Sequence, residues 1–145
     1  MKKVTPFLWF DGKAAEAANF YVSIFKNSKL VSSTPMDATF VLDGQDFLAL
    51  NGGPQYKFTP AVSLFVSCET QEEVDYFWEK LGAGGAESQC GWLTDKYGLS
   101  WQVVPTILRK LLQDPDRAKA QRALNAMLKM TKLDIKRLQE AFDAG

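Results

Sequence analysis

The chain contains no histidine. That absence removes Ser-His-Asp and Cys-His catalysis, which need an imidazole base. It also removes zinc sites of the Cys₂His₂ and His₃ types. Any acid–base chemistry falls to Asp, Glu, Lys, Tyr or Cys. Cysteine is scarce as well: Cys68 and Cys90 are the only two. They make no disulfide framework, and a reducing cytoplasm is the expected compartment. Net charge is absent too, with 17 basic and 17 acidic side chains. The chain therefore has no general attraction to nucleic acid or to an anionic membrane, and neither is expected as a partner. Every uncharged run is too short and too polar to span a bilayer. Met1-Lys2-Lys3 leads into no apolar segment, so no signal peptide is expected.

What is present is ordinary globular material. A chain of 145 residues, 46% of them hydrophobic, suits one domain, or two small repeats fused into one body. The charge is unevenly spread: residues 1–104 carry 8 basic and 12 acidic side chains, residues 105–145 carry 9 and 5. The basic tail reads as a solvated helical segment, or as one that docks on an acidic body.

Val4–Phe10 is a short apolar and aromatic run, read as a strand covered on both faces. Asp11 can cap the helix that follows. Ala14, Ala17, Ala18, Tyr21, Ile24 and Phe25 are spaced as the inner stripe of that helix, and Asn27-Ser28 stops it. Lys29–Ser33 and Thr39–Leu42 are strand candidates. Asp43-Gly44 is a tight-turn signal leading to a strand at Asp46–Asn51. Gly52-Gly53-Pro54 then opens a loop to about Pro60.

The pattern repeats. Ala61–Cys68 is a strand. Thr70-Gln71-Glu72-Glu73 reads as a capping box, and Val74, Phe77, Trp78 and Leu81 form the stripe of a second helix. Gly82, Gly84 and Gly85 end it. Two short strands are expected within Ala86–Asp95, then a turn at Lys96–Gly98 and a strand at Leu99–Val104. Val4 and Val62 are 58 positions apart, the aromatic pairs Phe20-Tyr21 and Phe77-Trp78 are 57 apart, and Gly44 and Gly98 are 54 apart. The chain therefore reads as a duplicated βαβββ unit. One such unit of about 55 residues buries little core, so two are expected to fold against each other.

After Pro105 the pattern becomes helical. Thr106 can cap a helix bearing Ile107, Leu108, Leu111 and Leu112. Asp114-Pro115-Asp116 is a helix start, with Leu124, Met127 and Leu128 on its inner face. Asp134 begins a last helix, where Leu133 can staple onto Leu138. The expected organisation is one α+β domain over 1–145: module 1 at about 1–55, module 2 at about 60–105, and a helical tail at about 106–145, read as an appendage.

The segments TPFLWFDGKAAEAANFY, FLALNGGP, VDYFWEKL, CGWLTDKYGLSWQVVP and KAQRALNAMLKMTKLDI together resemble the PhnB-like branch of the vicinal-oxygen-chelate (glyoxalase/bleomycin-resistance) superfamily. Many of its members carry a 3-demethylubiquinone methyltransferase label. The resemblance implies duplicated βαβββ modules making an open half-barrel around a pocket, a small-molecule ligand and a homodimer. Metal-dependent relatives place His or Glu on four strands. Here those neighbourhoods are Val4–Pro6, Ala49–Asn51, Val62–Ser63 and Gln102, and none offers His, Asp, Glu or Cys. Neutral amides repay the desolvation of a transition metal poorly, so no metal and no cofactor are expected. Gly82–Gly85 follows a helix rather than a strand, which reads as a helix end and not as a cofactor loop.

Six residues are candidate ligand contacts. By position in the family Gln102 points inward; otherwise it is a polar core group. Ser63, at another of the family's site positions, is a further candidate. Phe7 and Trp9 share one face of the first strand and can stack a flat ligand or simply pack. Asn51 can offer its amide at the rim or support the Gly52-Gly53 turn. Trp92 sits at the pocket edge with Cys90, whose thiol no histidine activates. Tyr56 and Lys57 are a lid or a plain linker. Glu69, Glu72, Glu73 and Asp75 are a metal cluster or a solvated helix start. Two functions follow: a metal-independent small-molecule-binding protein, or a divergent enzyme (lyase, transferase or oxygenase) of the same superfamily. A regulatory protein acting through its basic tail is a third.

Overall fold

The structure, a computed structural model, describes residues 1–144. It comprises two compact units, Met1–Thr59 and the chain from Pro60 onward. The first unit runs β1 (Phe7–Phe10), α1 (Ala14–Ile24), β2 (Lys29–Ser33), β3 (Asp37–Leu42) and β4 (Gln45–Asn51). Its sheet order is β1-β4-β3-β2. The second opens identically: β5 (Ser63–Cys68), α2 (Gln71–Gly82), β6 (Ala86–Glu87), β7 (Trp92–Thr94) and β8 (Ser100–Pro105), in the order β5-β8-β7-β6. In both sheets the first strand pairs in parallel with the last and the others pair antiparallel. The fold is α+β and built on a duplicated βαβββ unit. No helix among the described residues is long and apolar enough to cross a membrane.

β1 is shorter than its apolar run. Pro6 has no amide hydrogen to continue a ladder, and Val4 is left exposed. Nor is the strand covered on both faces. Leu8 and Phe10 are buried while Phe7 is 59% exposed, because α1 covers one side of this sheet within its unit. α1 buries the five residues Ala14, Ala17, Ala18, Tyr21 and Ile24. Phe25 already has extended backbone and ends the helix. Asp43-Gly44 is a two-residue hairpin turn, with both φ values positive, between the paired Leu42 and Gln45. A turn of this kind twists with its strands.

In the second unit the Thr70 hydroxyl accepts from the Glu73 amide at 3.2 Å. The Glu73 carboxylate reaches one residue further back than a capping box requires, to the amide of Glu69 at 2.9 Å. The tail forms α3 (Thr106–Leu112), α4 (Arg117–Leu128) and α5 (Ile135–Asp143). Two of its caps are displaced from expectation. Thr106 is the first residue of α3 and donates instead to Glu69. Asp116, rather than Asp114, caps α4, and the Asp114 carboxylate braces the Asp116 amide. Asp134 caps α5 as expected, through the Arg137 amide at 3.0 Å.

The tail is no loose appendage. Leu108, Leu111, Ala123, Met130, Leu133, Leu138 and Phe142 form one buried cluster with Val104 of β8. Cys90 and Gly91 donate their amides to the carbonyls of Met130 and Thr131, each at 2.8 Å. Gln71 of α2 donates to the Leu133 carbonyl and accepts from the Ile135 amide. The Lys132 ammonium, 2.8 Å from Asp75, holds that carboxyl below its ordinary range, with the Gln71 amide assisting. The tail thus packs on its own second module through an apolar cluster and backbone bonds, with one exposed ion pair at the edge.

Candidate functional site

Register decides which side chains meet. In unit 2, Gln102 of β8 lies opposite Phe65 of β5 on one side and Trp92 of β7 on the other. Directly paired residues point to the same face, so Phe65, Gln102 and Trp92 form a row across three strands. The alternate residues Val66, Cys68, Trp101 and Val103 are buried, on the face that α2 covers. The row faces a cavity of about 310 Å³ lined by Phe65, Cys90, Trp92, Gln102, Val104, Leu108, Arg109 and Met127. That volume is at the small end of the range for ligand pockets, roughly 300–1,000 Å³.

Three expected contacts come together here. The Gln102 carboxamide donates to the Ser63 hydroxyl at 3.0 Å, and Trp92 is the cross-strand neighbour of Gln102. Trp101 points the other way, as alternation requires. It is 2% exposed, and its indole donates to the Asp95 carboxylate at 2.9 Å. Phe65 was missed: it stands two residues from Ser63 on the same strand face, but an apolar run does not mark which face a helix covers. Leu108, Arg109 and Met127 were missed too, because their place depends on where the tail docks.

Phe7, Trp9 and Asn51 belong to unit 1. Phe7 and Trp9 pair with Leu48 and Leu50 of β4 on the face turned away from α1. The Trp9 indole donates to the Gly53 carbonyl at 2.9 Å, and Tyr56 meets its ring edge-on at 5.0 Å. A Cβ on Gly52 would fall 2.3 Å from that ring, so the double glycine lets the loop close over Trp9. Asn51 is engaged at both ends of its amide. It accepts from the first amide of α1, on Ala14, at 2.8 Å and donates to the Pro35 carbonyl at 3.0 Å. It takes the capping role read for Asp11, from 37 residues away. Asn51→Ala is expected to cost about 1–2 kcal/mol in a urea melt, the worth of a lost helix cap.

The two thiols differ. Burial pushes the Cys68 thiol up to about 12, with the Glu73 charge adding to it, so Cys68 is an inert core group. Cys90 is half-buried on the cavity wall, with a left-handed backbone at φ 59°. It and Gly91 form the centre of a turn closed by the Trp92 amide on the Gln89 carbonyl. No group of three or more His, Cys, Asp or Glu able to hold a metal exists among the described residues. The acidic side chains at the start of α2 serve as caps and as partners of the tail.

The family model for 3-demethylubiquinone-9 3-methyltransferase matches residues 2–104. No curated protein matches the chain. Among solved structures, a PhnB protein from Bacillus cereus named for that methyltransferase is 41% identical, with a TM-score of 0.67 over 72% of this chain and 100% of that one. The fosfomycin resistance protein FosX from Listeria monocytogenes, solved with Mn(II) and sulfate, is 18% identical, with a TM-score of 0.53 over 70% of this chain and 88% of that one. A glyoxalase-related enzyme from Fulvimarina pelagi is 12% identical, with a TM-score of 0.52 over 74% and 91% of the two chains. The last two are similar in fold alone. With its two βαβββ units and this match over more than half its length, the chain belongs to the PhnB-like family described as 3-demethylubiquinone-9 3-methyltransferase.

Proposed function

We propose that the protein binds a small organic molecule, without a metal, in the cavity of module 2. The supporting observation is the Phe65–Gln102–Trp92 row. It sets a carboxamide, steadied by Ser63, between two aromatic side chains on the wall of an otherwise largely apolar cavity. Such a lining desolvates a ligand's apolar body and orients it through few polar contacts. Phe7 and Trp9 offer a second apolar face on module 1, and Asn51 serves by capping α1 and tying in Pro35. The same reading makes the chain a single glyoxalase-type domain acting as a homodimer. Exposed Phe7, Val31 and Met36 favour a second copy as partner. Two free thiols fit a cytoplasmic location.

A thermal-shift screen tests the binding reading, because a ligand that binds only the folded chain raises Tm by mass action. Hits are expected to survive chelator treatment. They are expected to lose their shift in Met127→Trp, which fills the cavity, and to weaken in Gln102→Leu. Stoichiometric metal that resists dialysis would overturn the metal-free reading in favour of a divergent enzyme. Calorimetric binding of S-adenosylmethionine would support the methyltransferase activity for which the family is named.

A further inference from the structure

The family match ends at residue 104, and the module 2 cavity does not. Leu108 and Arg109 of α3 and Met127 of α4 line it beside Gln102. The shared fold supplies the floor of this pocket, and the chain's own tail completes it.

Of the lining side chains, only Arg109 carries a charge. Its guanidinium has no salt bridge or hydrogen bond among the described residues. Arg122, by contrast, is tied to the carbonyls of Ala141 and Phe142. A guanidinium presents a planar fork of donors that matches a carboxylate or another oxyanion. Arg109 is exposed at the cavity mouth, so solvent screens such a contact in part. Gln102 adds a second polar feature. Its nitrogen is bonded to Ser63, and its oxygen accepts from no described residue. No buried side-chain oxygen among the described residues lacks a partner, so this one is open to solvent and available to a ligand's donor.

We infer that the tail tunes this cavity for an organic anion. The ligand's apolar body lies against Phe65, Trp92 and Leu108, its anionic group meets Arg109, and a hydroxyl or amide on it donates to Gln102. The inference rests on the cavity being the ligand site proposed above. Arg109 also lies in the last turn of α3, where a cation favours the carbonyl end of a helix. That role would show in stability and leave ligand choice untouched.

The test is calorimetric titration of the full chain with benzoate, 3-phenylpropionate and octanoate, each beside its primary amide. At least one acid is expected to bind about two- to fivefold tighter than its amide, as an exposed charged contact should. Arg109→Gln is expected to erase that preference at an unchanged Tm, Arg109→Lys to keep part of it, and added salt to weaken it. If acids and amides bind equally, or Arg109→Gln keeps the preference, the anion inference falls while the small-molecule reading stands. If no acid or amide binds at all, both fall.

Discussion

Removing residues 106–145 is expected to unfold module 2, not merely to shorten it. Seven of the eight residues in the buried cluster around Val104 come from this tail. Each Leu, Met or Phe in it is worth about 1.5–3 kcal/mol of burial. Several such losses together exceed the net stability of a typical domain, about 5–15 kcal/mol. The truncation also strips acceptors from the amides of Cys90 and Gly91, and the exposed Lys132–Asp75 pair adds little to either side of the balance. Far-UV circular dichroism and amide exchange would read the outcome. Protected amides in β8 of the truncated chain, with a cooperative melt, would contradict it. A gentler form of the same test is Leu133→Ala, at a fully buried position, expected to cost about 2–5 kcal/mol.

Asp95 should be the most sensitive polar position. It is 3% exposed. One carboxylate oxygen accepts from the amides of Tyr97 at 2.8 Å and Leu99 at 3.1 Å; the other accepts from the Trp101 indole at 2.9 Å. The residue therefore folds the Lys96–Gly98 turn back onto β8 and accepts from the buried indole of Trp101. Asp95→Ala removes these three bonds and is expected to cost on the order of 3–5 kcal/mol, since each buried donor left unpaired costs about 1–3 kcal/mol. Asp95→Asn keeps the oxygen serving the two amides but turns an N–H toward the indole, so a loss of about 1–3 kcal/mol is expected. Trp101→Phe in the Asp95→Asn background should recover part of that loss. Urea melts of the four chains form the cycle that isolates this pair. Equal stability of Asp95→Ala and the parent chain would refute the account.

Reading Asp95 from the sequence alone would have been difficult. It stood as the end of a strand, and nothing local marks an aspartate as the partner of an indole six residues away. Asn51 is the same case over a longer reach. Its position before Gly52-Gly53 is a local turn signal, yet its oxygen caps a helix 37 residues earlier. Phe65 and Ser67 look like core residues in an apolar run, and only the covering of the sheet by α2 on one face leaves them on the other. Gln102, Ser63 and Trp92 could be chosen because strand alternation and family position reinforce each other.

The order of elements, the duplication, the stripes of α1 and α2 and the turn at Asp43-Gly44 were determined by the sequence itself. They follow from period, turn chemistry and volume, which act over a few residues. Leu128, by contrast, read as inner on α4, is exposed, and Ala120 and Ala123 are buried instead. Which face of each strand is covered, which aspartate or asparagine serves a distant donor, and which tail residues wall the cavity were decided only by the tertiary structure. Those outcomes depend on pairings between segments far apart in the chain, and no local pattern encodes the partner.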